Sequence, residues 1–378
     1  MRKSFLCVLL FAIAAAGTAP AQAPSSAEKS GQKQILRPEG AATNLPFSPG
    51  VIADDLVYIA GQGTRNPKTG QHPATWEEQV QQSIENIRVV LKAGGMDLAN
   101  IISCHAYFAD LNDRPRMNKV YGSLFNVNPP VRTAVEVGAM PDEARLEMTC
   151  IAARELEARK VPGRGTVQVG NWIFTSGTTG GVQSGKMAED FEGQAKQTLE
   201  NLSATLSGAK LAFKDVVWAN VYLDNPANLP ALEEIWNGYF KSGPKPGRAI
   251  QIVGLGPTTH VEVTLLAADP SVPRKAVRKS SVLAGNTLFV SEQSAPGATI
   301  EDQVTGTMKR LQQTLSAAKM KMSDVVTVNV YLKDLADFPR MNAIYRRHFA
   351  ENPPARTTVQ VKQASPGTLV TISCVAVK

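Results

Sequence analysis

The chain is poor in the residues on which much enzyme chemistry is built. Its 378 residues hold four histidines and four cysteines, with no CxxC, no HExxH and no clustered His/Asp set. A dedicated metal site or a dithiol centre needs such spacings, so no metal is expected. Lys and Arg exceed Asp and Glu by only seven, and the densest basic group is Arg274, Lys275, Arg278 and Lys279. Nucleic-acid surfaces concentrate positive charge on one face. This cluster reads instead as a solvated junction, and no nucleic-acid partner is expected. Beyond the N-terminus no apolar run approaches the roughly 20 residues that a bilayer-spanning helix needs, so no membrane partner is expected either.

The N-terminus is the exception. Arg2 and Lys3 precede an apolar stretch from Phe5 to Ala16, followed by Ala19-Pro20-Ala21, the layout of an export signal with small residues at the cut. Residues 1–21 are therefore expected to be removed and the mature chain to be exported, periplasmic or extracellular. The charge then falls from +7 to +5. Residues 22–35, rich in Ser, Ala, Lys and Gln, are expected to be a disordered leader. Three cysteines remain, Cys104, Cys150 and Cys374, each in an apolar strand pattern. An odd count argues against a disulfide framework, and buried packing is the expectation.

What the chain does have is repetition. The segment YFADLNDRPRMNKVYGSLFNVNPPVRTAVEV, from Tyr107, returns as YLDNPANLPALEEIWNGYFKSGPKPGRAIQI from Tyr222 and as YLKDLADFPRMNAIYRRHFAENPPARTTVQV from Tyr331. Each copy carries one arginine at the same place, Arg132, Arg248 and Arg356, spaced 116 and 108 residues apart. Units of that size are domains and not solenoid repeats. The expected boundaries are 36–157, 158–270 and 271–378.

Within copy one, Leu56 to Ile59 reads as a strand. Thr75 and Glu78 form a capping box before a helix whose Val80, Ile84, Ile87 and Leu91 share one face, stopped by Gly94-Gly95. A strand, a second helix near Arg114 to Phe125 and two more strands follow, Arg132 to Gly138 and Arg145 to Ala152. The fold class is α+β, one sheet with two helices on one face. The bare face needs a cover, and three copies supply it to one another. The expectation is a monomer equivalent to a trimer, an intramolecular pseudo-trimer with sheets inside and helices outside.

Arg132 and Glu147 lie 15 residues apart around a turn expected near Ala139 to Glu143, which predicts a hairpin with the two as a cross-strand pair. A guanidinium fork is the natural receptor for a carboxylate, and a neighbouring glutamate can activate water. A plain cross-strand salt bridge satisfies the same spacing.

The segments IAGQG at Ile59, NDRPRMNKVY at Asn112, NPPVRTAVEV at Asn128 and RLEMTCIAA at Arg145 together resemble the Rid family, also called YjgF, as do VNVYLKDLADFPRMNAIY and NPPARTTVQV in copy three. The resemblance implies a chorismate-mutase-like fold, clefts between subunits of a homotrimer, and hydrolysis of 2-imino and enamine acids to 2-ketoacids and ammonia without a cofactor. It further implies that Arg132 holds the substrate carboxylate, Glu147 works on water, Gly61 makes a backbone contact and Asn118 is a polar cleft residue. Phe47 falls where the family often has tyrosine. The position two after the arginine, sometimes cysteine in the family, is Ala134, Ile250 or Thr358, so thiol chemistry there is excluded.

Copy two matches with Gly177, Arg248 and Glu262 but has Glu233 in place of the asparagine. Copy three keeps Asn342 and Arg356 but has Glu292 for the glycine and Thr371 for the glutamate. Copy one is therefore expected to hold the working cleft and copy three to be structural, with Glu292 near Arg356. The substrate or ligand class is a small carboxylate-bearing imine or ketoacid. Two alternatives stand beside the deaminase: noncatalytic ketoacid binding and, less favoured, RNA cleavage.

Overall fold

The computed structural model describes residues 33–182, 186–349, 351–362 and 367–378. The expected export signal and the expected leader up to residue 32 lie outside them. Gln34 and Ile35, assigned to the leader by sequence, instead form a strand, because Ile35 packs on a core that sequence periodicity alone did not reveal.

Copy one runs β1 (Gln34–Leu36), β2 (Gly50–Ala53), β3 (Leu56–Ile59), α1 (Trp76–Lys92), β4 (Ile101–Phe108), α2 (Arg114–Leu124), β5 (Val131–Glu136) and β6 (Leu146–Ala153). The Thr75 hydroxyl accepts the Glu78 N–H while the Glu78 carboxylate takes the Thr75 N–H, so α1 begins where the capping box puts it. Val80, Ile84, Ile87 and Leu91 are all buried, and the helix ends before Gly95, whose φ of 76° suits glycine. Copies two and three repeat the helix at Phe191–Gly208 and Ile300–Ala317.

The sheet order in copy one is β1-β2-β3-β6-β4-β5, and the other two sheets repeat it, with one further short strand, Thr178–Thr179, in copy two. This corrects the expected hairpin. Strands β5 and β6 are not neighbours, because β4 lies between them, parallel to β5 and antiparallel to β6. The crossover through α2 makes β4 and β5 parallel, the free edge of β5 is taken by copy two through Gly177 and Gly254, and β6 returns antiparallel on the other side of β4. Arg132 is opposite Cys104 and Glu147 opposite Tyr107, so the two do not face each other.

Each copy has its own helix-on-sheet core. A further core draws on all three sheets and includes Tyr58, Tyr107 and Val135 of copy one, Trp218, Tyr222 and Val253 of copy two, and Phe289, Tyr331 and Val359 of copy three. Polar groups cross it as well: the Tyr222 hydroxyl meets His105 Nδ1 at 2.9 Å, Gln251 Nε2 donates to the Tyr331 hydroxyl at 2.8 Å, and Tyr331 bonds Tyr107. Backbone bridges join the copies pairwise at Glu136 and Gly254, Ala139 and Gln360, and Ile252 and Lys362. The sheets thus cover one another's bare faces. Among the described residues no helix is long and apolar enough to cross a membrane.

The expectation of unpaired cysteines needs correction too. Cys104 and Cys150 stand directly opposite on β4 and β6 and form a disulfide. Cys374 occupies the place of Cys150 in copy three, but Val328 stands opposite it, so it stays free and buried. The odd count misled because one copy kept both partners and another kept one. A Cys104→Ala/Cys150→Ala variant should lose about 2–4 kcal/mol of stability in urea unfolding. Equal midpoints for the oxidised wild type and the variant would contradict the bridge.

Candidate active site at the junctions between copies

Strand β5 is the edge of its sheet, and an open edge has to be covered. The next copy covers it. Gly177 N–H donates to Arg132 O at 3.1 Å, and Gly61 N–H donates to Arg356 O at 3.0 Å. Each arginine therefore sits at a junction, and its glutamate comes from the neighbouring copy.

At the junction of copies one and two, Arg132 Nη2 donates to Asn118 Oδ1 at 2.6 Å, and the guanidinium lies over the Tyr121 ring at 4.6 Å. The carboxylate there is Glu262, which accepts a hydrogen bond from the Thr133 hydroxyl next to Arg132. At the junction of copies three and one, Arg356 Nη1 donates to Asn342 Oδ1 at 2.7 Å, and Tyr345, Phe338 and Phe47 surround the guanidinium at 4.8, 5.4 and 5.1 Å. Its carboxylate is Glu147, and the two are only 4% and 5% exposed. At the junction of copies two and three, Arg248 Nη2 pairs with Glu233 and lies over Trp236 at 5.1 Å.

The residues named from sequence lie at the junctions, but their neighbours there come from different copies and not from one. Arg132 works with Glu262 and Gly177, and Arg356 with Glu147, Gly61 and Phe47. Glu292 lies beside Arg248, accepting from Ile250 N–H at 3.2 Å, and not beside Arg356 as expected. Two junctions bring arginine, asparagine, glycine and glutamate together, and one of them uses Arg356 and Asn342 of copy three. The sequence reading missed Tyr121, Trp236 and Tyr345. Each stands three residues after Asn118, Glu233 or Asn342, which puts ring and polar group on one helix face. That recurrence was the available signal.

The glycines follow from the glutamates. A Cβ on Gly61 would overlap Glu147 Oε1, and one on Gly177 would overlap Glu262 Oε1 and Thr133 Oγ1. In copy three the glutamate is Thr371, and the glycine position holds Glu292. The two positions have changed together.

Burial controls the charges. It pushes the Glu147 carboxyl up to about 8, against a smaller opposing pull from Arg356. It raises Glu262 too, with the Thr133 hydrogen bond acting the other way. Burial lowers both Arg132 and Arg356, yet arginine starts so high that each stays charged. Near neutral pH the Arg356 junction therefore carries one net positive charge.

The family described as Endoribonuclease L-PSP matches residues 38–154, 163–269 and 275–378. The chain belongs to this family, also called Rid or YjgF. A RutC family protein of Pyrococcus horikoshii is 35% identical over 125 residues, covering 32% of this chain and 99% of that protein. The 2-iminobutanoate/2-iminopropanoate deaminase of Escherichia coli is 32% identical over 125 residues, covering 32% of this chain and 98% of its own. The crystal structure of the E. coli YjgF gene product matches at 31% identity with a TM-score of 0.31, over 32% of this chain and 99% of that one.

Two predictions follow from the geometry. Gly61→Ala should destabilise the fold by about 1–3 kcal/mol, and adding Glu147→Thr should recover most of the loss, because it removes the Oε1 that the new Cβ would overlap, as Thr371 does beside Glu292 in copy three. Additive losses in a urea double-mutant cycle would reject the coupling. The second concerns pH. The folded chain holds a proton on Glu147 that the unfolded chain releases above about 4.5, so this group's contribution to stability falls as pH rises from about 4.5 to about 8. Glu147→Gln should flatten the decline in Tm over that window; parallel Tm profiles would refute the raised value.

Proposed function

We propose that the chain hydrolyses reactive 2-imino acids to 2-ketoacids and ammonia at the two complete junctions, with Arg132 and Glu262 at one and Arg356 and Glu147 at the other. The observation that carries this reading is the burial of Arg356 and Glu147 together between copies, where a positive charge faces an acid holding its proton near neutral pH. A bound carboxylate balances the arginine. An acid titrating near the working pH can both take and return a proton. Water adds to the imine carbon, its two protons pass in turn to nitrogen through the glutamate, the C–N bond breaks, and ammonia leaves a 2-ketoacid. An imine carbon is already electrophilic, so positioning supplies much of the rate. The deaminase names of relatives about one third identical support the same chemistry.

One chain would then do alone what three chains do in a homotrimer of the family. Export is part of the proposal: residues 1–21 have the layout of a signal, and the Cys104–Cys150 bridge suits an oxidising compartment.

In an assay of iminopyruvate hydrolysis, Arg132→Ala and Arg356→Ala should each remove part of the activity and the double variant all of it. An unchanged rate in the double variant would reject the proposal. Titration with pyruvate should show two sites per chain.

A further inference from the structure

The junction of copies two and three is not a degraded version of the other two. It holds a half-open cleft of about 280 Å³ lined by Glu233, Trp236, Lys245, Arg248, Ser291 and Glu292. Glu233 stands where the other junctions have asparagine, and its carboxylate already takes Arg248 Nη2. Arg248 Nη1 is buried without a partner, so one donor of the fork faces no acceptor. Lys245 replaces a proline of the other copies and is held by Asn237 Oδ1 at the rim. Glu292 is anchored through Oε2 on Ile250 N–H, while Ser291 Oγ accepts from Arg248 N–H at 2.9 Å. These bonds hold the wall, and it presents Arg248 and Lys245 beside the Glu233 carboxylate and the Glu292 carboxyl, which burial raises to about 7 against the pull of the Ile250 N–H and Arg248, where the Arg356 junction presents one net positive charge.

That charge pattern selects a different ligand. A bare carboxylate entering here would meet Glu233 and Glu292 as well as Arg248, and like charges in a partly buried site repel strongly. A ligand carrying both signs completes the set. We propose that the cleft between the second and third copies binds a small zwitterion, an α-amino acid, with its carboxylate on Arg248 Nη1 and Lys245 and its ammonium on Glu233 and Glu292. The ammonium then serves the two glutamates that would turn away a ketoacid. The carboxylate satisfies the buried donor that the protein leaves open, which would otherwise cost stability. Trp236 holds the guanidinium in its plane from behind.

The test is calorimetric titration of the mature chain with alanine and, separately, with pyruvate. The expected result is one alanine per chain, weakened about tenfold or more by Glu292→Gln, with iminopyruvate hydrolysis unchanged in that variant. Glu233→Asn should raise pyruvate binding from two sites to three. Alanine that fails to bind, alanine that binds equally well to Glu292→Gln, or pyruvate that fills three sites in the wild type would each overturn the proposal. Loss of pyruvate binding altogether would instead count against the deaminase reading and leave the alanine result standing on its own.

Discussion

The arrangement depends on one constraint: strand β5 and its counterparts are sheet edges, and each edge is closed by the next copy. Because the arginine lies on that edge, closing it carries a guanidinium into a junction where a carboxylate from the neighbouring chain segment is also buried. Taking a charge out of water costs several kcal/mol unless partners compensate. Here an asparagine, an aromatic ring from the second helix and a proton-holding glutamate offset part of that cost, and the residual positive charge is what a small organic anion can satisfy. Folding and the charge left at the junction thus rest on the same contact.

Triplication within one chain frees the copies to diverge. In a ring of identical subunits, exchanging the glycine for glutamate would alter every cleft at once. Here Glu292 and Thr371 have changed as a pair within copy three, which alters the Arg248 junction, while Glu147 of copy one completes the Arg356 junction. Glu233 changes the same altered junction from the other side. Three departures from the family pattern, read within copies, suggested a working cleft in copy one and a structural role for copy three. Read across junctions, Glu233 and Glu292 fall together and leave two junctions with the family's residue types.

Much of the fold was legible because its signals are local. The capping box at Thr75 and Glu78, the helical spacing of Val80 to Leu91 and the recurrence of the second helix each depend on neighbours within a few residues. The need for a cover over the bare sheet face followed from simple geometry. Pairing order was not legible, since the 15-residue spacing of Arg132 and Glu147 suits a hairpin and the intervening β4 leaves no mark on that stretch. The same gap hid the Cys104–Cys150 bridge, whose partners are 46 residues apart, and the membership of each junction. The residue types of the site were readable, but their partners depend on contacts between domains more than a hundred residues apart.

The account stands on arginine and glutamate meeting across copies, and paired substitutions test this most directly. Arg132→Ala with Glu262→Gln removes two groups from one junction, whereas Arg132→Ala with Glu147→Gln removes one from each of two. Measured on iminopyruvate, the first pair should keep the activity of the Arg356 junction and the second should keep almost none. The reverse order, with more activity left in the second pair than in the first, would mean that each copy holds its own site and would contradict the arrangement.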